Sequence, residues 1–187
     1  MRELLLLRHG STPGNELHRY NGRTDEPLSE QGRAALRARH YESTPLVYVT
    51  RLRRTRETAE LLFPGARQIT VPALREMDFG DFEGRSYLDM EHDAAYRLWV
   101  DGGCLGPVPN GEDRAAFTAR CVAAMRAVLA ADRAQRLTFV LHGGTIMAVC
   151  SALVTPQRDY YDWHVPPGGG VRLRESEAGL TLLEEIR

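Results

Sequence analysis

Lysine is absent: all 24 basic residues of this 187-residue chain are arginines. That excludes a phosphate-loop lysine, a Schiff-base lysine and a lysine general base, and leaves any anion to arginine. Cysteine is scarce. Cys104, Cys121 and Cys150 are odd in number, scattered and without paired spacing, so neither a zinc site nor a disulfide framework is expected. Cys121 falls on a helical apolar stripe with Phe117, Met125, Val128 and Leu129, where a free thiol packs as a small hydrophobe. No stretch approaches the roughly 20 apolar residues of a membrane span. The short run in "MRELLLLRHG" has no small-residue cleavage site behind it, so no secretory signal is read and a cytoplasmic location is expected. Excess charge is lacking too: a net charge of -1 argues against a nucleic-acid or anionic-membrane partner. With no HExxH, no dense Asp cluster and no Cys/His pairing, no metal and no cofactor is implied.

What is present suffices for one packed domain, since 43% of the residues are apolar and no long linker interrupts them. Strand and helix patterns alternate. The leucine run of "LLLLRHG" reads as a short strand buried on both faces, followed by a loop to about residue 28 and a helix from Ser29. A short strand "PLVYV", a helix "RLRRTRETAELLF" closed by Pro64-Gly65 and a strand near "RQITV" come next. After the irregular "LREMDFGDFEG", the segment 85–100 reads as a helix, 101–111 as a Gly/Pro loop and 112–132 as a long amphipathic helix. "RLTFVLHGG" is a second buried strand, the helix after it is expected to begin near Thr145, and "GVRLRES" with "GLTLLEEI" reads as a hairpin. This order predicts an α/β fold: a three-layer α/β/α sandwich on a mainly parallel sheet with an antiparallel edge.

Two strands end in histidine followed by glycine, "LLLLRHG" and "TFVLHGG". Parallel strands present their carboxyl ends on the same side of the sheet, where ligands bind in open α/β folds, so His9 and His142 can converge. Two imidazoles, the Arg8 guanidinium and a helix N-terminus describe a phosphate site. Either histidine taken alone reads more readily as an ordinary hydrogen-bonded strand end, and the pair in matching contexts reads equally as that or as a site.

Five motifs, in order, resemble those of the histidine phosphatase superfamily over nearly the full chain. "LLRHGSTPGN" is similar to its opening signature and "NGRTDEPLSEQGRAAL" to the segment following it. "VTRLRRTRETAELL" resembles its Ser-Pro-Leu-x-Arg helix, "LREMDFGDFEG" its acid-bearing loop and "FVLHGGTI" its second histidine motif. The resemblance implies a phosphoglycerate mutase-like domain over 1–187, with about 85–111 forming a small lid. It implies His9 as nucleophile, Arg8 and Arg54 as phosphate clamps, Glu76 as proton donor and His142 as the second phosphate-pocket histidine. Asn15 and the Gly143 backbone would help hold the phosphoryl oxygens. The chain departs from the pattern at Thr50-Arg51, where Ser-Pro is usual. Arg51, Arg53 and Arg56 compete with Arg54 for the clamp role, but only Arg54 fits the register.

The residue types suit the reaction. Phosphoryl transfer runs through a loose, in-line transition state and needs positioning and charge stabilisation, which forked arginines supply. A neutral imidazole is a competent nucleophile, and the phosphohistidine it forms divides hydrolysis into two steps. The leaving alkoxide needs a proton. Glu76 is the expected donor, with Glu83, Asp78 and Asp81 as rivals in the same loop. His18, His40, His92 and His164 are read as surface or structural.

The segment between Glu83 and Glu112 is net acidic, which disfavours a second anionic group on the substrate. A hydrolase for a small metabolite monophosphate is therefore expected, most similar to alpha-ribazole phosphatases, which remove the 5′-phosphate of a benzimidazole riboside. A phosphoglycerate mutase or fructose-2,6-bisphosphatase-like activity is the second reading and a non-catalytic phosphate-binding module the third. Tyr96 and Trp99 either stack on an aromatic substrate or form the apolar face of a helix. The partner is a small phosphate ester, and the chain is expected to be a monomer or homodimer.

Overall fold

The computed structural model describes all of residues 1–187. Its centre is β1 (Arg2–Arg8), whose four leucines alternate between two cores. Leu4 and Leu6 pack with the stripe Phe117, Cys121, Met125 and Leu129 of α5 (Arg114–Ala131) and with Ile146, Val149 and Cys150 of α6 (Gly143–Leu153). Leu5 and Leu7 pack with Leu36 of α2 (Glu30–Arg37) and with Ala59 and Leu62 of α3 (Arg53–Leu62). Burial on both faces explains why the run does not alternate with polar residues. Each such leucine contributes roughly 1.5–3 kcal/mol of transfer free energy.

The remaining strands are β2 (Leu46–Val49), β3 (Arg67–Thr70), β4 (Arg136–Leu141), β5 (Val154–Thr155), β6 (Gly170–Ser176) and β7 (Gly179–Ile186). The sheet has seven strands in the order β3-β2-β4-β1-β6-β7-β5. The first four are mutually parallel; β6 runs antiparallel to β1 and to β7. The predicted three-layer α/β/α arrangement with an antiparallel flank is the one observed.

Two helix expectations are corrected. Of 85–100, only α4 (Ala94–Asp101) is helical, because Asp93 caps it through the N–H groups of Ala95 and Tyr96. Upstream, the Asp89 carboxylate accepts from the Ser86 N–H and hydroxyl, a local bonding pattern that competes with helix. α6 starts at Gly143 with His142 as its N-cap, two residues before the predicted start. The early loop also holds a short helix, α1 (Pro13–Glu16), closed by a reciprocal cap between Thr12 and Asn15.

Register sets the site. β1 and β4 pair with Arg8 opposite Leu141, and the His9 N–H donates to the Leu141 carbonyl at 3.0 Å. His9 and His142 therefore leave neighbouring parallel strands at the same level.

Candidate active site

The two imidazoles lie with centroids 5.3 Å apart at an interplanar angle of 66°. Both are buried. The Nδ1 of His9 is 2.7 Å from the Gly10 carbonyl, which can only accept, so Nδ1 carries the proton and Nε2 the lone pair. Burial, then the charges of Arg54 and Arg8, hold the His9 pKa well below 6.5 despite that hydrogen bond. The ring is thus neutral at physiological pH. His142 is depressed in the same way, by burial first, then Arg54, His9 and Arg8. Its Nε2 lies 3.0 Å from the Thr50 hydroxyl and its Nδ1 accepts from Arg54 Nε at 3.3 Å. Thr50, where the superfamily pattern has Ser, thus supplies a hydroxyl to the second histidine.

Arg54 is 2% exposed, whereas Arg51, Arg53 and Arg56 are on the surface. Its Nη1 donates to the Thr24 carbonyl at 2.7 Å, and its Nη2 to the carbonyls of Asn21 at 3.0 Å and Gly22 at 3.2 Å. The Thr58 hydroxyl couples the Arg54 carbonyl, at 2.7 Å, to the Gly10 N–H, at 3.0 Å. Arg8 is held by the Val165 carbonyl at 2.8 Å and stands 3.3 Å from His164 Nε2. Its Nε is buried with no hydrogen-bond partner. A Cβ on Gly143 would sit 3.3 Å from that Nε, so the unpaired donor lies against the N-terminus of α6. Gly143, as the first helical residue, has an N–H free of intrahelical bonding. An unpaired guanidinium N–H, a helix N-terminus and buried neutral imidazoles are donors and dipoles of the kind that hold an anion.

Glu76 reaches the same helix end. Its Oε2 accepts from the Gly144 N–H and its Oε1 from its neighbour Met77, each at 2.9 Å. Burial raises its pKa from 4.5, outweighing those two hydrogen bonds and the charges of Arg54 and Arg8. The rivals are engaged elsewhere. Glu83 accepts from Arg23 N, Thr24 N and the Thr24 hydroxyl at 2.7–2.9 Å. Asp78 binds the Gly80 N–H and Arg23, and Asp81 binds Asn110. Asn15 uses Oδ1 on the Thr12 N–H at 3.2 Å, which leaves its Nδ2 as the donor.

Sequence reasoning missed three supports. His164, read as surface, is exposed yet touches Arg8. Arg120 on α5 donates to Glu112 at 2.7 and 2.9 Å and to the carbonyls of Ala73, Arg75 and Glu76 at 2.8, 3.1 and 3.4 Å. Glu112 also takes the Asp78 N–H at 2.9 Å, so this pair fastens the segment bearing Glu76. Only the two residues' identity as unlike charges eight positions apart was visible, and that is no signal by itself.

Beside Glu76 opens a pocket of about 220 Å³ lined by Tyr20, Met77, Phe79, Trp99, Cys104, Arg114, Gly144, Met147, Tyr160 and Tyr161. Arg114 is its one cation, lying 4.4 Å over the Tyr160 ring and 4.9 Å over that of Tyr161. Trp99 lines the pocket and its indole N–H is buried without a partner. Tyr96 is buried behind it, bonded to the Tyr20 hydroxyl at 3.0 Å.

A model of the histidine phosphatase superfamily, branch 1, matches residues 4–185. The chain belongs to this superfamily, and it is a phosphatase that hydrolyses phosphomonoesters through a phosphohistidine. Among relatives, the adenosylcobalamin/alpha-ribazole phosphatase of Salmonella typhimurium is 32% identical over 174 residues, 88% of this chain and 86% of that protein. The crystal structure of the alpha-ribazole phosphatase from Shigella flexneri superposes with a TM-score of 0.86 at 25% identity, covering 99% of this chain and 96% of that one. The phosphoglycerate mutase from Thermus thermophilus gives a TM-score of 0.76 at 30% identity, covering 99% and 98%.

Proposed function

We propose that His9 Nε2 is the nucleophile, that Arg8, Arg54, His142, Asn15 and the Gly143 N–H hold the phosphoryl oxygens, and that Glu76 is the acid. The observation carrying this reading is the His9 tautomer: a neutral ring whose Nδ1 proton is donated to the Gly10 carbonyl, leaving the lone pair on Nε2, and whose neutrality burial and the charges of Arg54 and Arg8 enforce. Nε2 attacks phosphorus, the P–O bond to the leaving group breaks, and Glu76 gives its proton to the departing oxygen. In the second step Glu76 takes a proton from water as its oxygen attacks phosphorus. The P–N bond then breaks and its electron pair returns to Nε2.

The leaving group must occupy the space beside the acid, and that space is aromatic. Segment 85–111 acts as its lid, with Trp99 from α4 and Cys104 from the loop after it. An aromatic, uncharged alcohol suits it, as a benzimidazole riboside would, stacking on rings such as Trp99 and Tyr160. We therefore favour alpha-ribazole 5′-phosphate or a closely similar riboside monophosphate. A mutase must hold a second phosphate or a carboxylate, and Arg114 alone, already spread over two tyrosines, supports that poorly. A screen of metabolite monophosphates run in excess EDTA tests the reading. Benzimidazole and purine riboside 5′-phosphates should exceed phosphoglycerates in kcat/KM, and Trp99→Phe should narrow that preference. Preferential turnover of 3-phosphoglycerate would overturn it.

A further inference from the structure

A second pocket, of about 480 Å³, opens beyond the carboxyl ends of β2 and β3 and shares no lining residue with the aromatic one. It is lined by Arg23, Arg51, Arg75 and Arg120 together with Gly22, Leu52, Pro72 and Ala73. The guanidiniums differ in what they are already bonded to. Arg120 is fully engaged with Glu112 and the backbone. Arg75 has one contact, to Glu112 at 3.4 Å, and Arg23 one, to Asp78 at 3.1 Å. Arg51 makes none. It occupies the position where the superfamily motif carries proline, so nothing in the catalytic account requires an arginine there.

Two carboxylates therefore face four guanidiniums, and most donors of Arg23, Arg51 and Arg75 have no protein acceptor. The next carboxylate along, Asp25, is turned to the Arg53 N–H at the start of α3, at 2.6 Å. A merely solvated basic face would spread its charges over a convex surface. Here they converge on a concavity within the roughly 300–1,000 Å³ typical of small-molecule sites. Forked guanidiniums match the oxygens of a phosphate group geometrically.

We propose that this cleft is a second anion site, separate from the one at His9, that takes a phosphate group, either free or on a small organic molecule. An anion there bridges two segments that serve the reaction. Gly22, on one wall, gives its carbonyl to Arg54. Ala73 and Arg75, on the other, lead into Glu76 and share its tether to Arg120.

Calorimetric titration at low ionic strength tests the proposal, with inorganic phosphate and phenylphosphonate as probes. The wild-type protein should bind two equivalents. Arg23→Ala/Arg51→Ala should bind one, and its turnover of p-nitrophenyl phosphate at low phosphate should match wild type, since both side chains are exposed and outside the catalytic set. Arg8→Ala should lose the other equivalent and keep the cleft. Tighter phenylphosphonate binding in Arg8→Ala would identify the occupant as an organic phosphate, and tighter phosphate binding as the free ion. One equivalent in wild type, or two in the double variant, would overturn the proposal.

Discussion

The Oε2 of Glu76 accepts the Gly144 N–H at 2.9 Å, which ties the acid-bearing loop after β3 to the first turn of α6. A Cβ at Gly144 would come within 2.3 Å of Glu76 Oε1, so only glycine permits this approach. The helix end proposed to bind phosphate thus also holds the proposed acid.

Glu76→Gln should slow alkyl phosphates far more than nitrophenyl phosphate, whose leaving group needs little protonation. The gap should match general acid catalysis, about 10²–10⁴-fold. Gly144→Ala should show the same leaving-group dependence at smaller amplitude, because it displaces the carboxyl without removing it. Asp78→Asn should show none. Steady-state kinetics over a leaving-group series reads all three, and an equal slowdown of both substrate types by Glu76→Gln would remove Glu76 from the role.

Acid stability follows from the buried imidazoles. His9 and His142 titrate well below 6.5 when folded and near about 6.5 when unfolded. Below that value the unfolded chain binds protons that the folded one excludes, so stability is held above it and lost as pH falls through that window. Glu76 acts with the opposite sign. Its folded pKa is raised above 4.5, so its contribution is present at acid pH and lost as pH rises through the raised value. His9→Ala should lose less stability than wild type when urea unfolding is compared above and below pH 6.5. A steeper loss in the variant would contradict the neutral buried ring.

Arg120 acts on Glu76 only through the backbone and Glu112. Arg120→Met leaves Glu112 and three carbonyls short of a charged donor, at roughly 1.5–3 kcal/mol for each charge-assisted bond not replaced by water. Stability should therefore fall, and alkyl phosphates should slow more than nitrophenyl phosphate. A merely structural contact would lower stability and leave the leaving-group ratio unchanged.

The strand ends and their glycines made the histidine pair and Arg8 legible, because a continuous apolar run stopped by His-Gly carries both strand type and strand terminus in its local pattern. Register in the motif singled out Arg54 among four arginines, and the fold gives that choice a physical basis: of the four only Arg54 is buried, on the inward face of α3 with Thr55, Thr58, Ala59 and Leu62. The Glu112–Arg120 tether and His164 against Arg8 were not legible, since each contact joins segments whose meeting depends on the whole fold. The helix predicted over 85–100 failed for a different reason. Its first half contains Ser86 and Asp89, which bond to each other locally and outcompete helical propensity, and the helix begins only after Asp93, which caps it.

In the proposed reaction phosphate passes through His9. Rapid quenching of wild type with ³²P-labelled substrate should trap a phosphoenzyme that is labile in acid and stable in base, mapping to the peptide that contains His9. His9→Ala should fold, show no turnover and carry no label. Equal labelling of the two proteins, or label on the peptide containing His142, would contradict the account.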